Sequence, residues 1–374
     1  MPKTVLLIRD IHKDAYGGAE KYQIDLAKIL MRSDIKPIIV SSSNRVLEEA
    51  QNAKITCVRA PYCHRQNWSG WRNILLPLFF LWEIYLYFWY FVLIKKLRPD
   101  VLHIQSRDDM IAGTLAAKTC KKRVIWTDHS DLRLVVWENL DKKYKNPIGK
   151  FIYKLANIPY KITTISQYEF NYINNLVPKK LDNFIVVKNG TFDDERHNLV
   201  KPFSYTIGHI GRIIDYKGIE ELIRAFDVIS PKYPKAKLLI YGDDSNADYF
   251  KQLSKNKKIK FMGYVSDPIE AYTKIDVFVL ASHHEGLSLS LIDAAMMRKP
   301  IIATNIDGNP EIVIDNKTGL LIPAKDSTSL AKALDKILSN EKSRERLAQN
   351  ARRHYENNFD FEKIVKEEIV PLYE

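Results

Sequence analysis

The sequence predicts an α/β protein built as two Rossmann-like domains facing across a cleft. Three observations carry that expectation. Short, β-branched apolar runs alternate with stretches of helical apolar spacing along the chain, the pattern of parallel sheets with crossover helices. With 374 residues the chain is long enough for two ordinary cores. Near the middle, the turn-forming pair Asn189-Gly190 and the polar run 191–202 break the alternation, which places a boundary between domains 1–190 and 191–358.

In the first half, Thr4 to Ile8 reads as a buried strand. Gly17-Gly18-Ala19-Glu20 then opens a helix carrying Tyr22, Ile24, Leu26, Ala27 and Leu30. A strand, a glycine pair and a helix start suit a phosphate, but the spacing is neither GxGxxG nor a P-loop, which counts against a dehydrogenase or an NTPase. Strands follow at Pro37 to Ser41, Ile55 to Arg59, Val101 to Ile104, Lys122 to Thr127, Ile162 to Ser166 and Phe184 to Lys188. His129 stands at the carboxyl end of one of them, the edge of an α/β sheet where ligands bind.

Ile74 to Ile94 is an apolar stretch with Glu83 as its one charge. Its length would permit a transmembrane helix, but strands before and after it should share one sheet, and basic residues flank both ends. Helical spacing gives a stripe of Leu81, Ile84, Phe88 and Phe91 suited to the sheet. A broad face of rings with polar tips (Trp82, Tyr85, Trp89, Tyr87, Tyr90) is suited to a lipid–water boundary. Trp82, Tyr85, Trp89 and Tyr90 are therefore the candidate membrane or acceptor contacts.

The second half restarts with a strand at Tyr205 to Ile210. Arg212 and Lys217 follow in the loop before a helix with Ile219, Leu222, Ile223 and Phe226. Two cations five residues apart in such a loop can converge on a diphosphate. Strands at Lys237 to Tyr241 and Ile259 to Met262 precede the central motif, SHHEGLSLSLIDAAMMRKPIIATNIDGNPE, from Ser282 to Glu311. There a strand ending near Ala281 feeds a helix starting near Glu285 to Leu287, whose free N–H groups at Gly286, Leu287, Ser288 and Leu289 form a ready diphosphate site. Glu285 and Asp293, eight residues apart, would look along one helix face. A strand from Gly319 to Ile322 and helices over Ser327 to Ser339 and Glu341 to Tyr355 complete the half.

This stretch resembles the donor site of retaining GT-B glycosyltransferases of family four (glycosyl transferases group 1), with Glu285 at the first acidic position, Asp293 in place of the second glutamate, and Asp307-Gly308-Asn309-Pro310-Glu311 as the turn that follows. The Gly-Arg…Lys-Gly pattern around Arg212 and Lys217 matches as well. The resemblance implies a GT-B fold with a C-terminal helix, 359–374, crossing back to the N-domain. It implies a retaining, metal-independent transfer from a nucleotide sugar. Catalytic roles fall to Glu285, His129, Arg212 and Lys217. Donor contacts fall to Gly17, Gly18, Arg212, Lys217, Tyr264, Val265, Glu285, Gly286, Leu287, Ser288, Leu289 and Asp293. No cofactor and no metal is expected.

Charge points to the partner. The chain carries a net charge of +12, all of it in the first half, where residues 1–188 hold 30 Lys and Arg against 17 Asp and Glu. That half should meet something anionic. No nucleic-acid-binding signature is present, so a membrane surface or a lipid-linked acceptor is expected, and no nucleic acid. The doublets Asp108-Asp109, Asp193-Asp194 and Asp243-Asp244 lack metal spacing and read as solvated turns. Three cysteines without metal or redox spacing, and a short N-terminal apolar run unlike a signal peptide, predict a cytoplasmic protein peripheral to the inner face of the membrane. Transfer to a surface polysaccharide or glycolipid precursor is the expected reaction. The alternatives are a nucleotide-sugar epimerase of the same architecture and an inactive nucleotide-sugar-binding or membrane-docking module.

Overall fold

The computed structural model describes residues 2–9, 18–61, 76–129, 147–199, 201–242 and 247–374. The chain divides into two compact units, Met1–Val187 with Glu362–Glu374, and Lys188–Phe361.

The first unit alternates β1 (Lys3–Ile8), α1 (Gly18–Arg32), β2 (Ile35–Ser41), α2 (Asn44–Asn52), β3 (Thr56–Arg59), α3 (Leu76–Leu97), β4 (Val101–Ile104), α4 (Met110–Thr119), β5 (Arg123–Asp128), α5 (Pro147–Leu155), β6 (Lys161–Thr164), α6 (Gln167–Leu176) and β7 (Phe184–Val186). Its seven strands pair in parallel in the order β3-β2-β1-β4-β5-β6-β7. Strands covered by helices on both faces must be apolar on both, and Val5, Leu6, Leu7 and Ile8 are all fully buried. The order reverses between β1 and β4, so a crevice opens at their carboxyl ends.

The second unit repeats the plan with β8 (Thr206–Ile210), α7 (Ile219–Ile229), β9 (Lys237–Tyr241), α8 (Ala247–Gln252), β10 (Ile259–Gly263), α9 (Pro268–Lys274), β11 (Val277–Leu280), α10 (Leu289–Met296), β12 (Ile301–Thr304), α11 (Asn309–Ile312), β13 (Leu320–Ile322), α12 (Ser327–Ser339) and α13 (Glu341–Asn358). Six parallel strands run in the order β10-β9-β8-β11-β12-β13, and the switch point lies between β8 and β11.

After Phe361 the chain returns to the first unit. There the Tyr373 hydroxyl meets His103 Nδ1 at 2.6 Å, and His103 Nε2 meets Thr127 Oγ1 at 2.6 Å. Lys3 Nζ donates to the Glu374 carbonyl at 3.0 Å and Arg123 to the Leu372 carbonyl at 3.2 Å. The returning helix contains a π turn over Val365–Ile369. Pro371 stands two residues beyond it, and a proline has no N–H for the preceding turn and crowds the carbonyl four residues back.

Several expectations are corrected. In α3 the stripe assigned to the sheet faces outward: Leu81 is 62% exposed, Ile84 53% and Phe88 60%. The sheet-side face is instead Phe79, Glu83, Leu86, Tyr90, Leu93 and Ile94, all buried. Tyr90, a candidate membrane contact, is fully buried and donates to Asp109 at 2.6 Å. Trp82 and Trp89 are half-buried against the core, and Tyr85 alone of the four is exposed. Two of the aspartate doublets are held by partners rather than lying free in solvated turns. Asp109 is buried under Tyr90 and Ser106, and Asp193 receives Arg352 in a bidentate pair at 2.6 Å, which holds its carboxyl below the usual range. Asp243 and Asp244 lie outside the described residues.

Candidate active site

The carboxyl edge of the second sheet gathers the charged residues of three loops. From β8 the chain passes Gly211 and Arg212 into a single turn at Asp215–Lys217 and then α7. Gly218 makes this passage possible. It has φ +67°, and a Cβ there would overlap the Ala281 carbonyl oxygen, so no other residue lets the Lys217 turn lie against the end of β11. Lys217 Nζ reaches Glu285 Oε1 at 2.6 Å, with both side chains largely buried. Arg212 donates to the Tyr216 hydroxyl, and the Tyr216 ring stands within 5.7 Å of the guanidinium and 5.5 Å of Lys217 Nζ. Tyr216 thus sets the two cations around one ring.

Glu285 is held from the other side too. Its N–H donates to Asp307 at 2.9 Å, and a Cβ on Gly308 would overlap the Gly286 carbonyl oxygen. The loops after β11 and β12 are therefore in direct contact, locked by Thr304, which donates to the Ser282 carbonyl at 2.6 Å, and by Asn309, which donates to the Thr304 carbonyl at 3.0 Å.

Helix α10 starts later than its apolar spacing suggests, at Leu289 with Ser288 as its N-cap residue. Glu285 and Gly286 consequently sit in the loop, and Glu285 is not related to Asp293 by helical periodicity. The first-turn N–H groups, beginning with Leu289 and Ser290, are those without a helical acceptor. Ser288 Oγ turns to Ser290 Oγ at 3.0 Å rather than capping the helix. Tyr272 donates to the Ser290 carbonyl at 2.7 Å and fixes this turn from below. Leu287 is buried and anchors the loop, while Asp293 is half-buried on the helix. Tyr264, exposed, and Val265, half-buried, follow β10 after Gly263.

Sequence reasoning passed over three residues here. Tyr216 orders the cations. His283 gives its N–H to the Tyr216 carbonyl at 2.7 Å and its ring to Glu221 at 3.0 Å. His209 is fully buried in β8, and burial, then Lys217, lowers its pKa to about 4. His283 and His209 meet partners far apart in sequence, where no spacing marks them, whereas Tyr216 acts on its near neighbours Arg212 and Lys217.

In the first unit His129 follows β5, and its ring packs edge-on to Tyr22 at 4.8 Å. Both ring nitrogens are shut off from solvent with no hydrogen-bond partner. Burial, reinforced by Arg9 and His103, holds its pKa well below the usual imidazole value, so the ring is neutral. Arg9 pairs with Glu20 at 2.7 Å and donates to the Gln105 carbonyl at 2.5 Å, tying the start of α1 to the ends of β1 and β4. Gly18 is the first residue of α1; Gly17 lies outside the described residues.

Comparison with known proteins identifies the family and the fold. Residues 192–354 match the profile of glycosyl transferases group 1, and residues 16–195 that of Glycosyltransferase Family 4. The capsular polysaccharide biosynthesis glycosyltransferase CapM of Staphylococcus aureus is 32% identical over 191 residues; the match covers 50% of each chain, so the chain spans about half the length of this relative. Anabaena HepE, solved with UDP and glucose, superposes with a TM-score of 0.75 at 18% identity over 98% of both chains. A variant of S. aureus TarM, solved with Fondaparinux, alpha-GlcNAc-glycerol and UDP, superposes with a TM-score of 0.76 at 14% identity over 99% of both. With the two profiles together running from residue 16 to residue 354 and the fold shared along the whole length, this chain belongs to the group 1 glycosyltransferases of the GT-B fold.

Proposed function

We propose that this enzyme is a retaining glycosyltransferase that moves a sugar from a UDP- or GDP-sugar to a membrane-associated, lipid-linked acceptor in cell-surface polysaccharide or glycolipid synthesis. It works from the cytoplasmic face of the membrane and without a bound metal. The observation that carries this reading is the convergence of Arg212, Lys217 and Glu285 beside the N-terminus of α10. The UDP complexes of HepE and TarM support a nucleotide-sugar donor. The name of CapM, which concerns a capsular polysaccharide, supports the product class.

In the proposed transfer, the bond from the anomeric carbon to the diphosphate oxygen breaks, an acceptor hydroxyl oxygen bonds to that carbon, its proton passes to the leaving diphosphate, and negative charge grows on that diphosphate as it departs. Arg212, Lys217 and the first-turn N–H groups of α10 are preorganised donors for that charge, which is the largest single catalytic term in such reactions. They supply what a divalent ion would otherwise supply. Glu285, fixed by Lys217 and by its own N–H, orients a hydroxyl of the donor sugar. Asp293 holds the ribose, and the backbone beyond Gly263 at Tyr264 and Val265 receives the base. His129, held neutral by burial, is the proposed donor-sugar contact of the first unit, and that contact requires its two closed-off nitrogens to be uncovered.

The test is nucleotide release from a panel of UDP-, GDP- and ADP-sugars in EDTA, with and without a membrane extract. Release stimulated by the extract and lost in Arg212→Ala and Glu285→Gln supports the reading. Nucleotide binding without release from any donor overturns it in favour of a binding module.

A further inference from the structure

Helix α3 leaves a continuous apolar face uncovered. Leu78, Leu81, Ile84, Tyr85, Phe88 and Val92 are each at least half exposed; with Tyr85 beside Ile84, the others follow at three- and four-residue spacing, a stripe of about 21 Å on a helix rising 1.5 Å per residue. Its opposite face is packed on the core through Leu86, Tyr90, Leu93 and Ile94. The helix is long and apolar enough to cross a membrane by length and composition, yet it cannot do so in this fold. β3 before it and β4 after it run parallel in the same sheet, and a span would part them.

What covers the stripe is indicated by charge. Between residues 76 and 99 the one acid, Glu83, is buried on the sheet side. One turn beyond Val92 come Lys95 and Lys96, and then Arg98, all exposed. The end of α4 lies alongside, where Tyr87 donates to Thr119 at 3.0 Å, and it adds exposed Lys118 and Lys121. A second copy of this helix would offer the collar no exposed carboxylate in either orientation. Anionic headgroups beside acyl chains complement both parts at once.

We infer that α3 is the docking element for an anionic phospholipid bilayer. It lies in the interface plane with Leu78, Leu81, Ile84, Phe88 and Val92 in the acyl region and Lys95, Lys96 and Arg98 among the headgroups. This inference rests on the proposed transfer to a membrane-borne acceptor and gives it a geometry. Because α3 descends between two parallel strands, its N-terminal end lies toward the carboxyl edge of the sheet. Its 22 residues span about 33 Å against about 13 Å for β4. The N-terminal end of the exposed stripe therefore lies on the side of the sheet's carboxyl edge, where an acceptor drawn from the bilayer would arrive.

The experiment is flotation of the full chain on phosphatidylcholine vesicles with and without phosphatidylglycerol, with light scattering for oligomeric state. Wild type should float with the anionic vesicles. Ile84→Ser with Phe88→Ser should weaken partition by about tenfold or more, Lys95→Glu with Lys96→Glu should abolish the preference for phosphatidylglycerol, and Val228→Ser, at an exposed site of the second unit, should change neither. Equal flotation of wild type and the Ile84/Phe88 variant overturns the inference. So does a wild-type dimer that the same variant dissociates without any vesicle binding. Nucleotide release is read in parallel: vesicle binding without release from any donor refutes the transferase reading and leaves the docking face standing.

Discussion

Lys217 fixes Glu285 at 2.6 Å, and in the proposed transfer its ammonium also serves the leaving diphosphate. Lys217→Met should therefore lower turnover by about 10²-fold or more, with Lys217→Arg recovering part of it; nucleotide release at saturating donor reads the difference. Beneath it, His209 makes stability depend on pH. Its folded pKa of about 4 lies below the usual 6.5, so in acid the unfolded chain binds a proton that the folded chain refuses. Its contribution is fully present above pH 6.5 and is lost as pH falls from there toward 4, by up to about 1.4 kcal/mol per unit. His103, lowered to about 3 by burial, acts in the same direction over a wider window. Urea midpoints at pH 7 and pH 4.5 should differ less in His209→Asn than in wild type.

At the scale of elements, the loop after β12 supports the site it does not itself form. Gly308→Ala would press a methyl group against the Gly286 carbonyl and displace the turn holding Glu285. Donor KM should rise and turnover fall by about tenfold or more, since small misplacements of positioning groups are costly, while the melting temperature shifts only by a few degrees. Sequence reasoning marked Arg212, Lys217 and Glu285 because strand-to-helix loops are local features, but it started α10 too early and so put Glu285 at the helix start rather than in the loop. The returning strands were legible for the same reason, as runs buried on both faces. α3 was not. Its periodicity does not separate the faces, since it groups exposed Tyr85 with buried Tyr90 and half-buried Phe91 with exposed Leu81; nearly every position is apolar, and which side meets the sheet is decided by Asp109 and α4, residues outside the helix. Tyr90 turns inward because Asp109 accepts its hydroxyl. Likewise the aspartate doublets look like solvated turns until Arg352, far along the chain, is seen to close on Asp193.

For the molecule as a whole, the tail Glu362–Glu374 belongs to the first unit, and Tyr373 supplies the partner of a fully buried histidine. Tyr373→Phe leaves His103 Nδ1 without that bond, at a cost of about 1–3 kcal/mol. All six tryptophans lie between residues 68 and 137, so tryptophan fluorescence follows the first unit alone. It should show the loss in Tyr373→Phe, whereas Arg352→Ala, which breaks the pair with Asp193 in the second unit, should move the far-ultraviolet dichroism transition and leave the fluorescence transition nearly in place.

The return of the tail also sets an order of assembly. During synthesis, residues 188–361 are complete, with every strand of their sheet available, before Tyr373 has been made. The first unit must then wait, with His103 facing an unfilled position and Lys3 and Arg123 lacking the carbonyls they will bind. A chain cut after Phe361 would thus keep every strand of the second sheet while its first unit lacked the tail that His103, Lys3 and Arg123 bind.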